Sequence, residues 1–293
     1  MYPGVSELIE KVFCPVKINL TLRVLSVRSD AYHEIYSVFW KKKATEALTI
    51  SSENDKNIVD RIEVIGLEIN GPNIISNVLD WARVNGSDIP PLHIKTDKHF
   101  PAGSGIGAGS GNAAALIKWL VKNYNIKTDS CLISQLGADV SFLVMEDDLA
   151  EARGIGEKLT PLEPLEGLHW IIAFPAWKSE TALAYSKLDI YRQMHNINVN
   201  EEDFSYEALE ILRKLRKKER AGLLPNDFLV LLSHDHPEYE RAFSAADKAG
   251  ALAWGLCGSG SAIFAVCNDN LSSDTLMAFY ESEDWVIKIT KLE

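Results

Sequence analysis

The stretch PAGSGIGAGSGNAAALIKWL, Pro101 to Leu120, decides how the rest of the chain is read. Glycine occupies every second position from Gly103 to Gly111, and an uninterrupted helical pattern follows. Without a Cβ, glycine lets backbone N–H groups come close to a ligand. A helix N-terminus adds unsatisfied N–H donors and partial positive charge, and both favour an anion. The helix is predicted over residues 112–124, with Ser110 and Asn112 at or near its N-cap. A Walker loop needs G-x-x-x-x-G-K-[ST], and no Lys follows these glycines until Lys118. Gly103, Gly105 and Ala108 formally meet a dinucleotide fingerprint, G-x-G-x-x-A. The segment about 20 residues further on, where that motif wants a strand ending in an acid, is KNYNIKTDS, a turn between helices. What remains is another kind of phosphate seat, or a loop that is glycine-rich merely to turn.

The chain has 293 residues, 46% hydrophobic and 24% charged, enough for one large domain or two ordinary ones with a real core. A net charge of −11 argues against a general nucleic-acid or membrane-surface binder. The one dense basic run, RKLRKKER from Arg213 to Arg220, continues a helical pattern and reads as a solvated helix face. Cys14, Cys131, Cys257 and Cys267 form no C-x-x-C pair, which fits reduced thiols in a cytoplasmic protein. No signal segment and no apolar run near the roughly 18 residues of a membrane span is visible.

Strand patterns fill the first fifty residues, with a break at RSDAYHE. DRIEVIGLEI and PLHIKTDKHF read as further strands, and GPNIISNVLDWARVNG as a helix stopped by Asn-Gly. A short helix is expected from about Asp129 to Leu136, and DVSFLV and HWIIAFP as buried apolar runs. Beyond Pro161 helical patterns dominate: Glu180–Lys187, Tyr206–Arg220 and Tyr239–Ala249, with strand-like SAIFAVC and WVIKITKLE between and after them. GEKLTPLEPLEG gathers Pro and Gly, so a boundary is expected near residues 155–165. The fold class is α+β, with strands and helices intermixed instead of alternating strictly.

Single residues point to chemistry with alternatives open. Asp139 is an acid inside the largely apolar run LGADVSFLV. Burying it costs several kcal/mol unless it is paired or used, so it is a helix cap, a satisfied buried acid or a general base. Lys17 interrupts CPVKINLTL, where a lone Lys on a strand is usually turned to solvent. Asn19, two residues on, shares its strand face. His234 and His236 lack further ligands at a telling spacing, so no protein metal site is expected.

PAGSGIGAGSGNAAA resembles the signature loop of the GHMP kinases (galactokinase, homoserine kinase, mevalonate kinase and relatives). CPVKINLTLRVLSVRSDAYHEI, LGADVSFLV, ARGIGEKLTPL, PNDF and GLCGSGSAIFAV resemble, in the same order, segments of members whose substrate is a cytidine diphospho-sugar alcohol. The resemblance spans nearly the whole chain. It implies a ribosomal protein S5 domain 2-like N-terminal ATP-binding domain over residues 1–160 and a ferredoxin-like domain over 161–293, with the site between them. It implies ATP with Mg²⁺, phosphoryl transfer to an alcohol in isoprenoid precursor synthesis, and a monomer or homodimer. Asp139 falls on the family's catalytic base and Lys17 on the lysine that pairs with it. Pro101, Ala102, Gly103, Ser104, Gly105, Ile106, Gly107, Ala108, Gly109, Ser110, Gly111 and Asn112 fall on its phosphate loop. Asn73 and Lys98 fall, by looser alignment, on adenine contacts. Asn19, Tyr32, His33, Thr181 and Tyr185 fall on substrate contacts, with Tyr32 and His33 recognising cytosine by stacking and hydrogen bonds. Ala31, Ala108, Gly111, Ser141 and Ser261 depart from the pattern, and Gly111 removes a hydroxyl that relatives offer. Rival expectations are a family kinase for homoserine or a mevalonate derivative, a catalytically silent nucleotide binder and a dehydrogenase.

Overall fold

A computed structural model describes residues 9–52, 59–67, 73–85, 88–124, 126, 133–198 and 201–292. The helix expected from about Asp129 lies largely outside these residues, as does Cys131. The chain forms two compact units that do not divide at a single point. The first takes Met1–Lys17, Lys41–Ala102 and Gly107–Glu146; the second takes Ile18–Trp40, Gly103–Ile106 and Asp147–Glu293.

Two long strands, β1 (Glu10–Val27) and β2 (His33–Ser52), contribute to both units. In the first unit β4 (Leu92–Lys98) pairs antiparallel with Ala47–Ser52 of β2 and parallel with β3 (Arg61–Gly66). Alternation along β4 buries Leu92, Ile94, Thr96 and Lys98. Onto this surface pack α1 (Ile74–Val84) and α2 (Ala108–Tyr124). The α1 helix turns Ile75, Val78, Leu79 and Ala82 inward at helical spacing, and its N-terminus is capped by Asn73, whose Oδ1 accepts from the Ile75 N–H at 3.0 Å. The short α3 (Ala138–Val144) packs on α2. DVSFLV is therefore helical, and Val140 joins the core.

The second unit has a sheet ordered β11-β7-β10-β9-β8, from β7 (His169–Pro175), β8 (Gly222–Leu223), β9 (Ala253–Leu256), β10 (Ile263–Cys267) and β11 (Val286–Leu292). It is antiparallel except for β8 with β9. Strands β7, β9 and β10 are buried almost throughout, which is why they read as continuous apolar runs. Ser37–Trp40 of β2 pair with β5 (Leu149–Arg153), which pairs with β6 (Lys158–Pro161). Trp40 stacks on Trp170 with ring centroids 3.8 Å apart. The helices are α4 (Thr181–His195), α5 (Glu201–Arg216), α6 (Leu229–Asp235), α7 (Glu238–Lys248) and α8 (Asn270–Ser282). The α4 helix runs eight residues beyond its expected end at Lys187, and α5 stops at Arg216, before the basic run is complete.

Candidate active site

In the first unit, Lys17 on β1 and Asp139 in the first turn of α3 form an ion pair, Nζ to Oδ1 at 2.8 Å. The lysine is buried, against the usual expectation for a lone Lys on a strand. Its side chain is 7% exposed and that of Asp139 29%. The carboxylate sits where a helix dipole favours negative charge. At the other end of α3, Lys41 Nζ donates to the carbonyls of Phe142 and Met145 at 3.0 and 2.6 Å, and Lys118 Nζ to Met145 at 3.0 Å. Two lysines thus satisfy the carbonyls at the helix end and fix the element that carries Asp139.

The glycine-rich loop reaches this pair at Gly107. Its φ is +64°, and a Cβ there would lie 3.2 Å from Lys17 Cγ and 3.3 Å from Asp139 Oδ2. A side chain there would be strained by the left-handed conformation and would push its neighbours by a few tenths of an ångström, so glycine suits the position. The helix then starts at Ala108, four residues earlier than the expected Asn112, so Ser110 and Asn112 are inside its first turns and not at an N-cap. Gly109 is exposed with open space where a Cβ would stand, and Ser110 is partly exposed. These two lie in the first turn, where N–H groups have no intrahelical acceptor. This open first turn fits a polyphosphate. Ala108, Gly111 and Asn112 are buried instead. At Gly111 a Cβ would fall 1.9 Å from the Pro15 carbonyl oxygen, so the backbone leaves no room for the serine of relatives.

Beneath the loop lies a group that sequence reasoning missed. Glu46 on β2 is fully buried. Its Oε2 accepts from Lys98 Nζ at 2.7 Å and from Asn112 Nδ2 at 3.2 Å. Its Oε1 accepts from the N–H groups of His99 and Phe100 at 2.9 and 2.8 Å. Lys98 also donates to Asn112 Oδ1 at 3.0 Å. One carboxylate therefore ties the strand end before the loop to the helix after it. The available signal was register: Glu46 precedes buried Leu48 and Ile50 by two and four positions on one strand. Asn73 stands apart from this cluster as the cap of α1. Cys14, beside Asn112, has its thiol pushed up to about 12 by burial and carries no nucleophile.

In the second unit, Asn19 is buried and donates from Nδ2 to Ser37 Oγ at 3.0 Å, while its Oδ1 is buried with no hydrogen-bond partner among the described residues. Loop residues Gly103–Ile106 belong to this unit by compactness, with the Ser104 carbonyl accepting from Ala262 N–H at 3.1 Å. Ser104 and Ile106 are buried, Gly103 exposed and Gly105 partly exposed. Thr181 Oγ1 lies 2.9 Å from Ser259 Oγ. Asn226 donates to the carbonyls of Leu256 and Gly258 at 3.1 and 2.8 Å, giving the PNDF and CGSGS segments a common anchor. The β1–β2 turn places Ala31 at φ 66°, where relatives have Gly, at a cost of about 1 kcal/mol. Tyr32 beside it is 61% exposed. His33 packs its ring on Tyr185, centroids 4.8 Å apart, and Tyr185 meets Phe228 edge-on at 4.9 Å. Thus Lys17, Asp139 and Gly107 come together, as do Lys98 with Asn112 and His33 with Tyr185, whereas Tyr32 makes no ring contact among the described residues. No cluster of three or more His, Cys, Asp or Glu suited to a metal occurs among the described residues.

A cradle at a helix start, with a Lys–Asp pair against Gly107, is the equipment of a small-molecule phosphotransferase. Residues 73–149 match the GHMP kinases N-terminal domain and residues 235–283 the GHMP kinases C-terminal model. The chain belongs to the GHMP kinase family. A 4-diphosphocytidyl-2-C-methyl-D-erythritol kinase of Porphyromonas gingivalis is 31% identical, with 90% of this chain and 94% of the relative covered. One from Alkaliphilus metalliredigens is 30% identical, with 85% of each covered. Among solved structures, a 4-(cytidine 5′-diphospho)-2C-methyl-D-erythritol kinase has the same fold, with a TM-score of 0.77 at 24% identity over 96% of this chain and 98% of its own. A homoserine kinase from Cytophaga hutchinsonii superimposes at a TM-score of 0.63 and 14% identity over 100% of this chain and 97% of its own.

Proposed function

We propose that this protein transfers the γ-phosphoryl group of ATP to the 2-hydroxyl of 4-diphosphocytidyl-2-C-methyl-D-erythritol, a step of non-mevalonate isoprenoid precursor synthesis in the cytoplasm. The observation that carries the reaction type is the Lys17–Asp139 pair at 2.8 Å beside the phosphate loop. The acceptor follows from relatives of that activity at 30% identity or more over most of the chain. Phosphoryl transfer asks the protein mainly for positioning and electrostatic complementarity. Asp139 accepts the hydroxyl proton and Lys17 orients its carboxylate. The backbone of Gly109 and Ser110, at the first turn of α2, receives phosphate, while Pro101–Ala108 and Gly111–Asn112 shape the seat. Bound with ATP, Mg²⁺ neutralises phosphate charge. Asn73 and Lys98 serve the adenine side through what their present partners leave. Asn19, Tyr32, His33, Thr181 and Tyr185 serve the cytidine substrate. In this reading residues 1–160 are the ATP-binding domain and 161–293 the C-terminal domain.

A kinase for homoserine or a mevalonate derivative shares the fold, but the solved examples are only 13–16% identical. A silent nucleotide binder would have no use for the buried Lys17 beside Asp139. Purified protein given ATP–Mg²⁺ with the cytidine compound, homoserine and mevalonate in turn should release ADP with the first alone. Release with homoserine instead overturns the acceptor, and silence with all three favours the nucleotide binder.

A further inference from the structure

We propose that Asp189 is a positioning residue that sets the ring tautomer of His33 and, through it, which pyrimidine the substrate site accepts. The consequence for pyrimidine choice rests on the cytidine-substrate reading above. Asp189 on α4 presents both carboxylate oxygens to His33 Nε2, at 2.9 and 3.0 Å. An ionised carboxylate can only accept, so in a neutral imidazole the proton is held at Nε2 and Nδ1 keeps its lone pair. The ring has little freedom to escape this arrangement. Its side chain is 10% exposed and rests on Tyr185, one helical turn before Asp189 on the same stripe of α4.

The stripe is itself anchored. Arg192, three residues after Asp189, pairs with Asp227. Asp227 also accepts from Arg23 Nη1 and from the Val24 N–H, each at 2.9 Å, and Arg23 forks onto Glu207 at 2.7 and 2.9 Å. The position of α4 is thus fixed by a charge network that does not involve His33. A solvent-exposed ion pair is ordinarily worth little to stability, and Asp189 is 45% exposed. Its effect is on which hydrogen-bonding partner the other ring nitrogen accepts.

Cytosine carries an amine at C4 and uracil a carbonyl. A ring nitrogen with a lone pair accepts a hydrogen bond from the amine and repels the carbonyl; with a proton at Nδ1 the preference reverses. Asp189 therefore makes His33 a reader of the amine.

The test compares kcat/KM for cytidine- and uridine-diphosphate-linked acceptors at about pH 8, where an ordinary imidazole is neutral. Asp189→Asn replaces an acceptor-only carboxylate by an amide that can also donate to Nε2, so the proton is no longer confined there, and should lower the cytidine-to-uridine ratio by about tenfold or more, mainly through KM. Asp189→Ala should fall between, and Asp189→Glu should recover part of the ratio. In a His33→Ala background, Asp189→Asn should not change the ratio further. Nitrogen-15 spectra of histidine-labelled protein without substrate should show the Nε2–H tautomer for His33 and a shift to Nδ1–H in Asp189→Asn. An unchanged ratio in Asp189→Asn overturns the proposal, as does an equal loss for both pyrimidines. If neither acceptor is turned over, the substrate reading fails, and pyrimidine choice falls with it. The spectra decide the tautomer independently: an Nδ1–H form in the unsubstituted protein overturns the role of Asp189.

Discussion

Two lysine–carboxylate pairs of the first unit have buried lysines and nearly equal lengths. Lys17 meets Asp139 at 2.8 Å and Lys98 meets Glu46 at 2.7 Å, and the two lysine side chains are 7% and 5% exposed. The carboxylates differ. Glu46 is sealed at 1% exposure and accepts four donors, two on each oxygen. Asp139 is 29% exposed, with one oxygen on Lys17 and the other bordering Gly107, whose missing side chain leaves it approachable. A carboxylate whose acceptor capacity is consumed by its own protein holds structure together. One with an oxygen directed outward can take a proton from something else.

The largest expected effect tests the open pair. Asp139→Asn keeps the shape and removes the base; turnover should fall about 10²–10⁴-fold while the thermal midpoint stays close to that of the unsubstituted protein. Near-normal turnover would remove Asp139 from the role of base. The sealed pair should answer the other way. Glu46→Ala strands Lys98 and two backbone N–H groups in the interior, and should cost about 3–5 kcal/mol in denaturant unfolding. Turnover per folded molecule should change less than in Asp139→Asn.

Gly111→Ser, which restores the hydroxyl of relatives next to the sealed cluster, should destabilise by about 1–3 kcal/mol, because the new Cβ runs into the Pro15 carbonyl. A stable variant with a lower KM for ATP would show that the position is a phosphate contact after all. The smallest effect concerns an intermediate case, Asp60, which accepts from Arg83 and from the Leu92 N–H at 2.9 Å. Burial raises its carboxyl, but the Arg83 and Leu92 hydrogen bonds outweigh it and leave the group below the usual range. A depressed folded value contributes stability above the unfolded value of about 3.9 and loses it as pH falls through the folded one. Asp60→Asn should therefore narrow the stability difference between neutral and acid solution, by less than about 1 kcal/mol.

Much of this was legible in the sequence. The existence of β1, β2 and β4, the α1 helix with its Asn-Gly stop and the buried runs of β7 and β10 follow from period and punctuation, whereas the capping role of Asn73 does not. The loop suggested a phosphate seat, with a plain turn as the alternative, because glycine before a helix start brings bare N–H groups together. What stayed hidden depends on long-range partners. The start of α2 at Ala108 places Gly109 and Gly111 inside a helix, against their propensity, and the close approach at Pro15 explains why position 111 is tolerated only as glycine. Glu46 and Asp189 belong to no local motif, since their partners lie 52 and 156 residues away.

The two long N-terminal strands set a condition on how the molecule is made. Leu22 exchanges backbone hydrogen bonds with Pro225 and Asp227, and Arg23 binds Asp227 across 204 positions of chain. A ribosome that has delivered residues 1–160 has released β1 without the segment it must pair with. The part of that strand from Ile18 onward has β2 but not its later partners until the last third of the protein has been synthesised. The second unit is therefore completed only late in translation, and a gene cut between the halves would yield a C-terminal piece lacking residues 18–40 of its own unit.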